Sequence, residues 1–310
     1  MDKDFTTFEE QVKILKRRGL KFTSEETALK ALQRFGYYSI INGYKDPYVD
    51  IIAGKEVYKE GVTFEQIYSL YRMDRGIRNA LMASMLEVED NLRTAVAHVL
   101  AETYGADQNL YLNPINFRSG KSGKHQLNDI LKKFNKIITD NDQPMKHYRE
   151  TYGNVPPWIL LKGASFGNLA NFIKLQKGPQ KEKILSLIYD SPLSFIQGRP
   201  EIKNLFMDTL FVCLDYRNRA AHGGRIYNFE TKATFRYSPI LHAKLKITPA
   251  DYRAGKGASG LPTLLAAINF MDNREPAIYT EVSINYYLEK HLSLYPDDEV
   301  YLSSFLKADL

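Results

Sequence analysis

The sequence predicts an all-α protein, a multi-helix bundle that carries one small β-hairpin. Apolar residues recur at spacings of three and four over most of the 310 residues, which is the periodicity of amphipathic helices. Two of these segments begin with a Thr that is followed three residues later by Glu or Gln, the signature of a helix N-terminus. The sequence does not show strands that alternate with helices, as an α/β fold requires.

The first sixty residues predict a helical segment that packs on the bundle. They contain two amphipathic helices and an aromatic turn, at residues 8–18, 23–35 and 37–44. Gly19 ends the first helix, and a capping box from Thr23 to Glu26 opens the second. We place the domain boundary after residue 60 and expect residues 61–310 to form the main helical domain.

The middle of the chain predicts one very long helix. A second capping box, from Thr63 to Gln66, precedes an apolar pattern that continues to Gly105 almost without interruption. Forty helical residues span roughly 60 Å, so we expect a bend or a break near Gly76. This helix is the expected scaffold of the bundle.

The second half of the chain predicts further helices after a polar Gly/Ser/Lys loop at residues 118–124. They lie at residues 127–139, 168–175, 180–189, 200–221, 261–271, 277–291 and 297–307. Aromatic and β-branched residues between Ile226 and Tyr237 predict the small hairpin, directly after the helix 200–221.

Composition and charge limit the class of protein. Hydrophobic residues make up 44% of the chain and charged residues 25%, which is typical of a globular protein. The net charge of +6 permits a polyanionic partner without requiring one. A single cysteine, Cys213, fits a reducing compartment. The chain starts without an apolar leader and has no long apolar stretch, so we expect a cytoplasmic protein with no membrane segment.

The end of the helix 200–221 is the strongest candidate for a functional site. Arg217 continues an apolar stripe formed by Ile202, Phe206, Leu210 and Cys213. Neither Arg217 nor His222 has a carboxylate three or four residues away, so we expect partners that are distant in sequence. Arg219, in contrast, follows Asp215 by four residues, which predicts an exposed ion pair.

Helix geometry suggests how this site is assembled. Arg217 and His222 point about 140° apart on an ideal helix, whereas Asn218 and His222 are about 40° apart. We therefore expect a composite cleft at a helix–helix or subunit interface. Arginine is suited to binding phosphate, and histidine to proton transfer near neutral pH. The alternative is that His222 only caps its own helix.

A second pair of residues repeats this spacing on the long helix. Arg93 and His98 are candidates for a second half-site. Glu89 lies four residues before Arg93, and Glu102 four residues after His98, which favours ordinary ion pairs within the helix.

Other motifs are weaker. Residues 163–167 match G-x-S-x-G, in which Ser165 would be a hydrolase nucleophile, but the parallel sheet that this motif needs is not predicted. The simpler interpretation is a serine at a helix N-cap. Residues 255–260 match G-x-G-x-x-G without a preceding strand. The histidines and Cys213 show no metal-ligand spacing, so we expect no metal and no cofactor.

Residues 217–222, Arg-Asn-Arg-Ala-Ala-His, resemble the R-N-x-x-x-H signature of HEPN ribonucleases, a helical family. Together with other blocks in the same order, they resemble the Abi-like (abortive infection, AbiD/AbiF-type) proteins of bacteria. These blocks are residues 9–12 with 18–20, 37–38 with 42–44, 87–93, and 157–158 with 165–169. The resemblance covers about residues 8–227.

The resemblance implies a HEPN-like helical bundle in which Arg217 and His222 are catalytic and Asn218 positions them. It implies a metal-independent endoribonuclease that cleaves RNA through its 2′-hydroxyl, in phage defence or with an RNA or protein antitoxin. The composite cleft predicts a homodimer. Candidate RNA-binding residues are Lys121, Lys124, Lys132 and Lys133. The alternatives are a non-catalytic RNA-binding module and, more distantly, the Ser165 hydrolase.

Overall fold

The computed structural model describes residues 5–118 and 123–306, without the side chains of residues 123–125. Its α-helices are α1 (Phe8–Arg17), α2 (Glu25–Phe35), α3 (Phe64–Tyr104), α4 (Gln108–Tyr111), α5 (Gly123–Ile138), α6 (Met145–Tyr152), α7 (Pro157–Leu160), α8 (Phe166–Leu175), α9 (Gly178–Ile188), α10 (Leu193–Ile196), α11 (Pro200–Ala221), α12 (Pro239–Lys244), α13 (Pro249–Arg253), α14 (Leu261–Ile268), α15 (Glu275–Leu292) and α16 (Glu299–Leu306). A π-helical turn at Tyr38–Asn42 and short 3-10 turns complete the helical structure. The prediction of an all-α bundle is confirmed.

A small hairpin is present, but not where the sequence predicted it. Strands β1 (Val49–Ile52) and β2 (Lys55–Tyr58) pair antiparallel before α3, and Val49 lies opposite Tyr58. The two residues of the turn between them both have positive φ, 50° at Ala53 and 74° at Gly54. Such backbone angles fit the tight turn of a hairpin.

The predicted hairpin at residues 226–237 is wrong. None of these residues forms a strand. The aromatic and β-branched side chains that suggested one, among them Ile226, Tyr227 and Phe235, are buried in the core from an irregular segment. The backbone N–H groups of Ile226 and Tyr227 donate to a side chain of α3, Asp74, instead of to a partner strand.

Helix α3 is the centre of the bundle. It begins at Thr63, whose side chain accepts a hydrogen bond from the Gln66 N–H at 3.2 Å, and it runs for 41 residues. Helices α7, α9, α11 and α15 all pack against it. The expected break near Gly76 does not occur, because the helix continues through this residue.

Gly76 has a different role. The Tyr287 ring of α15 lies so close to it that a β-carbon at this position would be 2.4 Å from the ring. The glycine therefore allows α15 to approach α3 closely, without interrupting the helix.

The N-terminal helices share the core of the rest of the chain. Val12, Leu15 and Leu32 belong to the same cluster of buried side chains as Leu302 of α16. Helix α1 is capped by Thr7, and α2 by Ser24 rather than by Thr23 as predicted, since the Ser24 hydroxyl accepts from the Thr27 N–H. The boundary after residue 60 stays a prediction. Among the described helices, none has the length and apolarity that a membrane span needs.

The contact at Gly76 makes a prediction about stability. Gly76→Ala should lower the free energy of unfolding by about 1–3 kcal/mol, because the new methyl group overpacks the interface with Tyr287. Urea denaturation would measure this change. Gly167→Ala is the matched control, since a β-carbon there would meet its nearest neighbour, Leu214, at an ordinary 3.9 Å. Equal stability of the two variants would contradict the packing argument.

Candidate functional site

The apolar stripe of α11 places Arg217 at the edge of the core. Its four members, Ile202, Phe206, Leu210 and Cys213, are buried as predicted. The Arg217 side chain, one turn further on, remains 28% exposed. The helix then ends at His222, and Gly223 follows with a φ of 70°, the left-handed conformation in which helices often terminate.

The distant partner of Arg217 is Glu89 of α3. The Nε atom of Arg217 lies 3.8 Å from Oε2 of Glu89, whose side chain is only 1% exposed. The other carboxylate oxygen of Glu89 accepts a hydrogen bond from Arg93. Arg93 also donates to Asp90 at 2.6 Å and to the Ala164 carbonyl at 2.9 Å. One buried carboxylate thus lies between two guanidinium groups from two helices.

Burial and charge act against each other at this carboxylate. Burial raises the pKa of Glu89, and the neighbouring Arg93 and Arg217 oppose that rise without cancelling it. Oε2 of Glu89 and the Nε atoms of both arginines are buried and lack a hydrogen bond to any described residue. Because Arg217 makes no hydrogen bond within the described part of the chain, its guanidinium donors are available to a ligand.

Asn218 and His222 lie at the surface. Both side chains are exposed. The backbone N–H of His222 donates to the Asn218 carbonyl at 3.1 Å, as expected at a helix end. The imidazole itself has no hydrogen-bond partner in residues 5–118 and 123–306, so it does not cap the helix through its side chain.

The segment after His222 is held by a buried carboxylate, that of Asp74. This residue is fully buried on α3 and accepts hydrogen bonds from Ile226 N–H at 2.9 Å, Tyr227 N–H at 2.7 Å and the Tyr44 hydroxyl at 2.5 Å. Burial raises the pKa of Asp74 despite these donors. This role of Asp74 was not predicted, although a carboxylate four residues after Leu70 on a buried helix face was a visible signal.

Two arginines, Arg78 and Arg225, add further hydrogen bonds to the segment after His222. Arg78 lies beside Asp74 and donates to the Gly224 carbonyl at 3.3 Å. Arg225 donates to the Gly43 carbonyl at 2.7 Å and to Asp46 at 3.0 Å. The chain that leaves α11 is therefore fixed both to α3 and to the aromatic turn that precedes it.

The predicted ion pair between Arg219 and Asp215 is wrong. Arg219 donates to the Arg225 carbonyl at 3.1 Å and lies over the Phe229 ring, 5.0 Å from its centroid. Asp215 accepts from the Ala233 N–H at 2.8 Å. The segment that folds back along α11 offers both side chains closer partners than they offer each other.

The structure separates Arg93 from His98. The predicted pair of Arg93 with Glu89 is confirmed. The pair of His98 with Glu102 does not form, because Glu102 binds Lys183 at 2.8 Å. His98 is exposed and lines a groove near Leu187 and residues 271–273, on a different face of α3 from Arg93.

The other candidate residues are a serine at a helix N-cap and lysines on or near α5. Ser165 is the N-cap of α8, and its hydroxyl accepts from the Asn168 N–H at 3.3 Å. The only sheet in the described residues is the antiparallel hairpin, so the hydrolase motif lacks the fold that it needs. Lys132 and Lys133 are exposed on α5. Lys121 and the side chain of Lys124 lie outside the described residues.

The comparison with known families agrees with the resemblance. A family model described as Abi-like protein matches residues 30–228, well over half of the chain. This region contains α3, α11 and the residues of both buried carboxylate clusters. No curated protein and no solved structure matches the chain significantly. The chain belongs to the Abi-like protein family, and this membership suggests a role in abortive infection, a form of phage defence.

Proposed function

We propose that this protein is a metal-independent HEPN-type endoribonuclease whose site consists of Arg217, Asn218 and His222. The observation that carries the proposal is the position of Arg217 beside buried Glu89. A surface arginine would move freely, whereas this one is oriented by a carboxylate that it shares with Arg93. Its remaining donors form a planar fork that suits a phosphodiester.

The charges of the cluster favour an anion. Two guanidinium groups face Glu89, and the second carboxylate nearby, Asp90, is 71% exposed and pairs with Arg93 alone. A phosphate bound to Arg217 would therefore meet an incompletely neutralised cation. Charge-assisted hydrogen bonds of this kind are about twice as strong as neutral ones.

The proposed reaction is a transesterification within the RNA chain. The ribose 2′-oxygen attacks the adjacent phosphorus, and His222 takes the proton of the 2′-hydroxyl. The bond from phosphorus to the 5′-oxygen breaks, and this oxygen receives a proton from an imidazolium. Arg217 stabilises the charge that develops on the phosphate, and Asn218 positions the phosphate. The products are a 2′,3′-cyclic phosphate and a 5′-hydroxyl.

Of the two candidate residues of a second half-site on α3, Arg93 and His98, only Arg93 contributes in this proposal. Arg93 adds positive charge next to Arg217 through their common partner Glu89. His98 lines a separate groove and has no part in the reaction. Glu89 is a positioning residue, since it touches the arginines rather than the substrate.

A second candidate function is RNA binding without cleavage. The exposed imidazole of His222 has no side chain to orient it within the described residues, and catalytic histidines are usually oriented by a hydrogen bond. In this alternative, Arg217 binds a phosphate without cleavage, and the partner of the protein in the cytoplasm is an RNA or protein antitoxin. The same arginine serves both functions, so an activity assay must separate them.

The first prediction concerns His222. Wild-type protein should cleave labelled RNA in the presence of EDTA, and His222→Ala should slow cleavage about 10²–10⁴-fold, the usual contribution of a general acid or base. The affinity for RNA should change little, because the imidazole is not a phosphate anchor. A wild-type protein that never cleaves RNA, or a variant that cleaves equally well, would leave the binding module as the function.

Arg217 and Arg219 provide a matched comparison. Arg217→Lys should abolish cleavage while the fold survives, because lysine keeps a positive charge near Glu89 but lacks the planar fork. Arg219→Lys should keep most activity, since Arg219 lies over Phe229 and away from Glu89. Initial cleavage rates and thermal unfolding of both variants would be measured. Similar losses at the two positions would show that the contact with Glu89 does not define the site.

The assembly can be predicted from the same geometry. Because Arg217 and His222 point about 140° apart, one chain presents them poorly to a single phosphate. Two copies of α11 across a two-fold axis would place both His222 side chains in one shared cleft, where one acts as base and the other as acid. Light scattering should therefore show a homodimer. A protein that is monomeric by light scattering and still cleaves RNA would contradict this arrangement.

A further inference from the structure

A second cluster of cations lines an open pocket beside the middle of α11. The pocket measures about 450 Å³ and lies between α8, α9, α11 and the segment that follows His222. Its charged side chains are those of Arg118, Lys174, Lys181, Asp208 and Arg236. The proposed reaction uses none of them.

The cations of this pocket are not balanced by carboxylates. Asp208 is the one carboxylate in the lining, and Arg236 donates to it from its backbone N–H at 3.0 Å and from its guanidinium group, with shortest distances of 2.7 and 2.9 Å. Arg118, Lys174 and Lys181 form no ion pair with a carboxylate of the described chain. Three positive charges are therefore left without a carboxylate counterion among residues 5–118 and 123–306.

Their mutual repulsion is visible at Lys181. Burial, together with the positive charges of Arg118 and Lys174, lowers the pKa of Lys181 to about 8. A bound phosphate would reverse this effect, because a negative charge favours the ammonium form.

The three side chains differ in their surroundings. The backbone N–H of Arg118 donates to the Leu175 carbonyl at 2.9 Å, which brings Arg118 beside the end of α8, and its side chain is exposed. Lys174 is also exposed and lies 5.7 Å from the centroid of the Phe211 ring on α11. Lys181 is half-buried near the start of α9. The cluster thus combines one half-buried lysine with two exposed cations around the same pocket.

The pocket and His222 lie along one face of α11. Phe211, Asn218 and His222 point within about 40° of one another on the helix. His222 lies eleven residues after Phe211, which corresponds to roughly 16 Å along the axis. Asp215, on the same side of the helix, accepts from the Ala233 N–H, so a chain that passes over His222 would reach the pocket along the edge of this returning segment.

We propose that Arg118, Lys174 and Lys181 bind a backbone phosphate of single-stranded RNA at a distance of several nucleotides from the bond at His222. The distance from the bond rests on the proposed function, whereas the binding of the phosphate does not. The pocket is open on one side, which suits a strand that passes over it. The phosphate contacts carry no sequence preference and fix the register of the RNA.

Binding to an uncleavable RNA tests this site without relying on catalysis. The probe is a fluorescein-labelled 2′-O-methyl octanucleotide, and the readout is fluorescence anisotropy. Lys181→Gln and Lys174→Gln should each weaken binding about three- to tenfold and reduce the salt dependence by about 0.7 in the log–log slope, the value for one phosphate of a single strand. The matched control is Lys30→Gln, which removes an exposed, ion-paired lysine on α2.

The pH dependence of binding gives a second readout. The charged groups that face Lys181 in the pocket are Arg118, Lys174, Asp208 and Arg236. Because the pKa of Lys181 is about 8, wild-type affinity should fall as the pH rises through 8, and this fall should be absent in Lys181→Gln. A general loss of folding would not remove a pH dependence of this kind.

Several results would overturn the proposal. They are wild-type affinity in both pocket variants, an equal loss in Lys30→Gln, and a loss found instead in the α5 double variant Lys132→Gln/Lys133→Gln. Inorganic phosphate that binds as tightly as the octanucleotide would identify a site for free anions rather than for RNA. Since cleavage is not measured, a protein that binds RNA through this pocket without cutting it would refute the nuclease alone.

Discussion

Two buried carboxylates on α3 set the arrangement of the candidate site. Asp74 and Glu89 are 0% and 1% exposed, and a buried charge costs several kcal/mol unless it is paired or hydrogen-bonded. Both have partners in the same part of the chain. Glu89 faces Arg217 at the end of α11, and Asp74 accepts from the backbone of Ile226 and Tyr227 just beyond it. Apolar packing between α3 and α11 is not directional, so these polar contacts fix how the two helices are aligned.

This alignment leaves the pairing between Glu89 and its two arginines incomplete. Arg93 alone would give Glu89 a local partner within α3, as in many ordinary helices. The second arginine, Arg217, shares Glu89 with Arg93 at a distance of 3.8 Å, and its Nε atom is buried without a hydrogen bond to a described residue. Proteins tolerate such incomplete pairing mainly where a ligand completes it. The structure therefore accepts a local cost at the end of α11, beside Glu89.

The fold could be predicted wherever the signal was local. The extent of α1, the capping box of α3 and the apolar stripe of α11 depend on residues within one or two turns, and these features were predicted. The segment 226–237 has the composition of strands, but its backbone donors are satisfied by Asp74, and no local pattern shows that. The true hairpin, β1 and β2, depends on an Ala53-Gly54 turn with positive φ, a weaker signal than Asn-Gly.

The same distinction between local and distant contacts applies to the candidate site. The pair of Arg93 and Glu89 lies within one continuous helix and was predicted correctly, whereas Arg219 binds a segment that folds back over α11. That Arg217 needed a distant partner followed from its position on an apolar row, but the identity of Glu89 required the packing of two helices. The family match at residues 30–228 ends just after the backbone donors of Asp74, so it contains both carboxylates and all their partners. Helices α12 to α16 lie beyond it. The matched region thus contains α3 and α11 together with both carboxylate clusters, and α14 and α15 from beyond it pack against these two helices.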